Sequence, residues 1–209
     1  MGILDELSSA TGEKDSNTEL MKRCLHTPAF MHSVAEGLRT GTAAAQQDCL
    51  EIMIEVAKRR PELVANFASD FLDATKHKSR KLAKTAYGGL ALVVEAQPSD
   101  VFAAREELLE KARAGGPLGL AAAGVIASLC AHSVNYRGKL IGPTLKLLRA
   151  VPLKDVARWA AALAPAVMGS TDGIKRFARE IDPRRADLEE ATIRKLDRVV
   201  AKLERSLRK

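Results

Sequence analysis

Sliding the chain along itself by 37 residues brings apolar positions into register through two successive helical runs, which narrows the folds open to it. That shift places Cys49 on Ala86, Leu50 on Tyr87, Met53 on Leu90, Val56 on Val93, Ala57 on Val94 and Pro61 on Pro98. It continues with Val64 on Val101, Phe71 on Leu108 and Leu72 on Leu109. A second step of 37 carries Ala86 to Ala123, Leu90 to Ala127, Val93 to Cys130 and Val94 to Ala131. A step of 39 then carries Val101 to Leu140, Phe102 to Ile141, Leu108 to Leu147 and Leu109 to Leu148, which implies a longer turn in the third unit. A degraded fourth unit starts at Lys154. Inside each unit the apolar residues recur every three or four positions, and no stretch alternates with period two. A single helix pair cannot bury its own apolar stripe, so neighbouring pairs must share a core. A plain antiparallel bundle is the alternative, since few of the aligned positions are identical.

Local signals mark the helix ends. Lys58, Arg59 and Arg60 close the run from Thr42, where positive charge complements the helix dipole. Pro61 and Pro98 fit first helical positions, because a missing N–H is harmless there. Ser79 is suited to cap the helix holding Leu82, Ala86 and Leu90. Pro143 and Pro165 fall inside helical runs and predict a kink or a division. Gly88, Gly89, Gly119 and Gly124 predict close approach of a neighbouring helix, because glycine otherwise weakens a helix interior.

The helix-pair unit, the proline opening its second helix, and the pairs Phe71-Leu72, Leu108-Leu109 and Leu147-Leu148 resemble the HEAT and armadillo class of helical repeats. The resemblance spans roughly 42–181, and weakly 18–40 as an N-terminal cap. Asp100 loosely fits the Asp often found in the turn of a HEAT unit, and the Val-Arg that often follows the second helix is missing. It implies an all-α fold, a right-handed superhelical stack of antiparallel helix pairs, and a scaffold rather than a particular activity. The expected organisation is a loosely ordered segment over 1–17, the repeat domain over 18–183, and an amphipathic helix over 184–209. That last helix would either cap the stack or project for self-association as a homodimer.

With hydrophobic residues at 46% and 14 glycines and 8 prolines in 209 residues, the chain is neither disordered nor a linker. Cys24, Cys49 and Cys130 are too few, and odd in number, for a disulfide framework; they suit a reducing, cytoplasmic setting. The acidic start Asp5-Glu6 does not read as a secretory signal, and Glu6 stands where a myristoylation signal has Ser or Thr. No charge occurs from Ala114 to Tyr136, yet the apolar heart, Leu118 to Ala131, is shorter than the roughly 20 residues of a membrane span. A buried helix is expected, and no membrane partner.

Charge is divided unevenly. Residues 1–117 hold 15 basic and 17 acidic groups, whereas residues 118–209 hold 18 and 9. No acid lies between Glu110 and Asp155, a stretch that includes Arg137, Lys139, Lys146 and Arg149. A second knot comprises Lys78, Arg80, Lys81 and Lys84 beside Lys76. Basic groups gathered on a concave face would attract an acidic protein or the phosphates of a nucleic acid. Arg158-Trp159 is a candidate partner anchor, Trp with Arg being favoured at binding hot spots; core filling is the plain alternative for Trp159. Tyr87, Tyr136 and Trp159 provide little stacking surface for single strands.

Signals for chemistry are weak. Cys24, His26 and His32 fall short of the ligands a zinc site needs. Cys130 and His132 have no nearby carboxylate to orient a base. Gly115-Gly116-Pro117 lacks the Gly-Lys-Ser/Thr ending of a phosphate loop. The expectation is a non-enzymatic scaffold with no cofactor or metal that binds another protein, with nucleic-acid binding through the basic half as the alternative.

Overall fold

The computed structural model describes residues 2–208, and every regular element among them is helical. The chain divides into two compact units, one ending at Val101 and the next beginning at Phe102, so the boundary falls within one short helix.

The first unit opens with a 3-10 turn, Ile3–Glu6, and α1, Ser8–Thr11. Several contacts join these residues, expected from the sequence to be loosely ordered, to the helices that follow. Leu7 is fully buried, the Ser8 N–H donates to Asn17 Oδ1, the Ser9 N–H donates to Asp48 Oδ2, and Arg23 pairs with Glu6. There follow α2 (Ser16–His26), α3 (Phe30–Thr40), α4 (Ala43–Arg59), a 3-10 turn (Pro61–Phe67), α5 (Ala68–Ala74), α6 (Arg80–Val93) and α7 (Pro98–Ala103). The central element is α4, packed against α2, α3, α6 and the 3-10 turn. Its Thr42 and the Ser79 of α6 accept from the N–H of Ala45 and Leu82, the caps expected of those residue types. Across α3 and α5, Arg39 Nε and Nη2 donate to the two oxygens of buried Asp70 at 2.5 and 3.0 Å. A two-pronged bond of this kind fixes direction as well as distance.

In the second unit, α8 (Arg105–Arg113) leads to α9 (Gly116–His132) and α10 (Val134–Ala150). Next come 3-10 turns at Leu153–Asp155 and Ala164–Val167, on either side of α11 (Val156–Leu163). The chain ends with α12 (Thr171–Ile181), a 3-10 turn (Asp182–Asp187) and α13 (Glu190–Ser206). Here α9 is central, packed on α8, α10, α11 and the turn after α11. Its Ala122, Ala123, Val125, Ile126, Ala127, Leu129 and Cys130 are all fully buried. Among the described residues no helix is long and apolar enough to cross a membrane. The last helix, α13, packs on α11 and α12, with Leu196 and Leu203 buried. Lys209 lies outside the described residues.

Burial follows the 37-residue register. Cys49, Ala86 and Ala123 are all at 0% exposure, as are Met53, Leu90 and Ala127, and again Val56, Val93 and Cys130. The second helices agree in Val64 with Val101 and in Phe71, Leu108 and Leu147, all buried. The register fails at the end of the third unit, where Ala131 is exposed although its mate Val94 is buried. Proline placement has two outcomes. Pro165 divides its run, α11 giving way to a 3-10 turn, whereas Pro143 is accommodated within a continuous α10.

Glycine behaves less uniformly than expected. A Cβ on Gly89 would lie 2.3 Å from Cε1 of Phe71, and one on Gly119 2.9 Å from the Lys111 carbonyl oxygen. Both positions are true close approaches. Gly88 and Gly124 have nothing within 4 Å of an added Cβ, so packing does not require glycine there. Gly89→Ala should therefore destabilise by about 1–3 kcal/mol, because Phe71 is fully buried and cannot retreat freely. Gly88→Ala should instead raise stability by up to about 1 kcal/mol, by restricting the unfolded chain and favouring helix. Urea unfolding of the two single variants checks both signs.

Candidate functional site

The sequence-predicted basic residues fall in different units. Lys78, Arg80, Lys81 and Lys84 lie on or just before α6 of the first unit, exposed and without a carboxylate partner among the described residues. The others lie on α10 and α11 of the second unit. Two of those are engaged within the fold. Arg137 is half-buried and its Nε donates to the Cys130 carbonyl at 3.0 Å, holding the end of α9. Arg149 is paired with Glu180 of α12, a carboxylate that sequence proximity could not reveal. Arg184, a further member of the basic set, donates to the Leu148 and Val151 carbonyls, satisfying the C-terminal end of α10. Lys139, Lys146 and Arg158 remain exposed, with no acid in ion-pairing range among the described residues.

On α10, Lys139 and Lys146 are seven residues apart, so they project from one face about 10 Å apart along the axis. Beside Lys139 lies a half-buried aromatic pair: Phe102 and Tyr136 stack with centroids 4.4 Å apart. The Lys139 ammonium is 5.4 Å and the Arg105 guanidinium 4.7 Å from the Phe102 ring centroid. Tyr87 and Trp159 are buried, at 4% and 3% exposure, in keeping with the little stacking surface expected of the three. Trp159 is therefore corrected: it is no exposed anchor, because the face of α11 that carries it packs inward against the core of its unit.

Lys146 and Trp159 nevertheless meet at one place. Both line a cavity of about 540 Å³ in the second unit, bordered by the end of α8, the Gly115-Gly116 turn and the middle of α10. The sequence reading missed two contributors to it. Arg113 supplies a second exposed cation, and Pro143 forms part of the apolar wall. Gly115 and Gly116 have φ of +74° and +67°, a left-handed pair that L side chains avoid, and this turn shapes the rim. The available signal was the Gly-Gly-Pro sequence, which the sequence analysis weighs only as a phosphate loop. Among the described residues no carboxylate lines the cavity.

The candidate chemical clusters disperse. Cys24 is fully buried, while His26 and His32 are exposed, with His32 edge-on to Phe67 at 5.2 Å. Cys130 is fully buried and His132 exposed. Burial pushes the thiols of Cys24 and Cys130 up to about 11 and that of Cys49 to about 12. A thiol held neutral in this way is a poor nucleophile. Among the described residues no group of three His, Cys, Asp or Glu is placed to hold a metal.

The fold and this surface define an all-helical protein with a basic second unit and an adjoining cavity. Comparison with protein-family models, curated proteins and solved structures finds no match.

The raised thiol values have a consequence for stability. Below the unfolded thiol pKa of about 8.5 both states hold the protons, and the stabilisation is complete. It is lost as pH rises towards about 11 to 12, because the unfolded chain releases its protons first. The urea midpoint should fall between pH 8.5 and 10.5, and fall less in Cys49→Ala. In the native protein, labelling by a thiol-specific disulfide reagent should proceed only as fast as the fold opens.

Proposed function

We propose that the protein is a non-enzymatic scaffold of stacked helix pairs, HEAT- or armadillo-like in arrangement, that docks an acidic protein partner on its basic second unit. The observation that carries this reading is the outer face of α10, where Lys139 and Lys146 stand exposed with no carboxylate partner among the described residues. Glu180, Asp182, Glu190 and Asp197 of the same unit are already in ion pairs with arginines. Unpaired cations on a rigid helix give an oriented attraction that steers an acidic partner and speeds its association. The repeat arrangement is supported by the shared burial of positions related by the 37-residue register. A cytoplasmic setting accords with three free, buried thiols.

A second reading is nucleic-acid binding. The Phe102–Tyr136 stack, flanked by Arg105 and Lys139, favours it, since a partly open aromatic surface beside cations suits bases and phosphates together.

Affinity purification of the full chain before and after nuclease treatment separates the two. A discrete acidic protein that stays bound after nuclease, and associates about tenfold more slowly with the Lys139→Glu/Lys146→Glu variant at low salt, is the expected result. Bound material that disappears with nuclease, together with oligonucleotide affinity falling steeply with salt, would transfer the assignment to the second reading. Indifference of any partner to the double charge reversal would remove α10 as the docking face.

A further inference from the structure

The cavity of the second unit has a feature that partner docking on α10 does not use. Trp159 is 3% exposed, and its indole N–H has no acceptor among the described residues. Among the described residues no fully enclosed side-chain nitrogen or oxygen lacks a hydrogen bond, so this N–H is open to solvent. A solvent-facing indole N–H is free to donate to a ligand that takes the place of water. Arg113 and Lys146 stand on the same lining, without a carboxylate among the lining residues to answer them. Trp159, Pro143 and Leu147 supply flat and aliphatic wall. The volume, about 540 Å³, lies within the range that small organic ligands fill.

We propose that this cavity binds a small aromatic carboxylate. The ring lies against the Trp159, Pro143 and Leu147 wall, and the carboxylate accepts from Arg113, Lys146 and the indole N–H. The wall of Trp159, Pro143 and Leu147 favours an anion that carries a ring over a bare inorganic one. This inference shares Lys146 with the docking reading but does not rest on it. Lys139, essential to that reading, is not part of the cavity lining.

The chain has a single tryptophan, so the cavity contains its own reporter. The fluorescent probe 1-anilinonaphthalene-8-sulfonate, an aromatic monoanion, should bind the native protein at one saturable site with energy transfer from Trp159. Its neutral counterpart, N-phenyl-1-naphthylamine, should bind about tenfold more weakly. Displacement of the probe should need about tenfold less 2-naphthoate than naphthalene-2-carboxamide. Lys146→Met and Arg113→Met should each weaken the anionic probe about tenfold and leave the neutral one unchanged, whereas Lys139→Glu should leave both unchanged. If either methionine variant fails to unfold cooperatively, the same comparison is read on the native protein. There, raising sodium chloride from about 0.02 to about 0.3 M should weaken only the anionic probe. Equal displacement by acid and amide, absence of energy transfer, or displacement by inorganic phosphate as effective as by naphthoate would each overturn the proposal.

Discussion

Each unit is organised around one helix that packs against most of the others in it. In the first it is α4, with Cys49, Leu50, Met53 and Val56 inaccessible to solvent; in the second it is α9, rich in alanine and glycine. Small side chains let α8, α10 and α11 approach the α9 backbone closely, and the approach at Gly119 is tight enough to exclude even a methyl group. Burial of apolar surface is the dominant favourable term in folding, and the central helices supply the shared surface on which it acts. Polar devices then set direction, as in the two-pronged bond from Arg39 to Asp70 across α3 and α5.

The same packing decides which charges are available. Basic residues are in excess in the second unit, but a good part of that excess has structural work. Arg137 and Arg184 satisfy carbonyls at the ends of α9 and α10, and Arg149 and Arg185 hold carboxylates of α12, α13 and the intervening turn. Guanidinium groups suit these tasks because their planar fork meets two acceptors at once. What remains outward on α10 is lysine, a compact hydrated charge on a flexible stem, suited to steering an acidic surface.

Much of this was legible in the chain. The helical period, the caps at Thr42 and Ser79, the prolines at first helical positions and the burial register from Cys49 to Cys130 all follow from local chemistry or its repetition. The misreadings share a cause. Gly88 and Gly89 are indistinguishable in sequence, yet only Gly89 faces Phe71. Arg149 stands in an acid-free stretch, yet α12 brings Glu180 to it. Trp159 next to Arg158 suggests an anchor, but adjacent helical residues point about 100° apart, so one can be exposed while the other is buried.

The sequence by itself determined the all-helical character, the helix-pair period and the positions that must be buried, because these depend on side-chain spacing along a helix. Tertiary structure alone decided which cations stay unpaired, where a glycine is obligatory, and that Arg113, Lys146 and Trp159 border one cavity. Those outcomes require groups far apart in the chain to meet at distances of a few ångströms. Spacing along one helix carries no record of what another helix will bring against it.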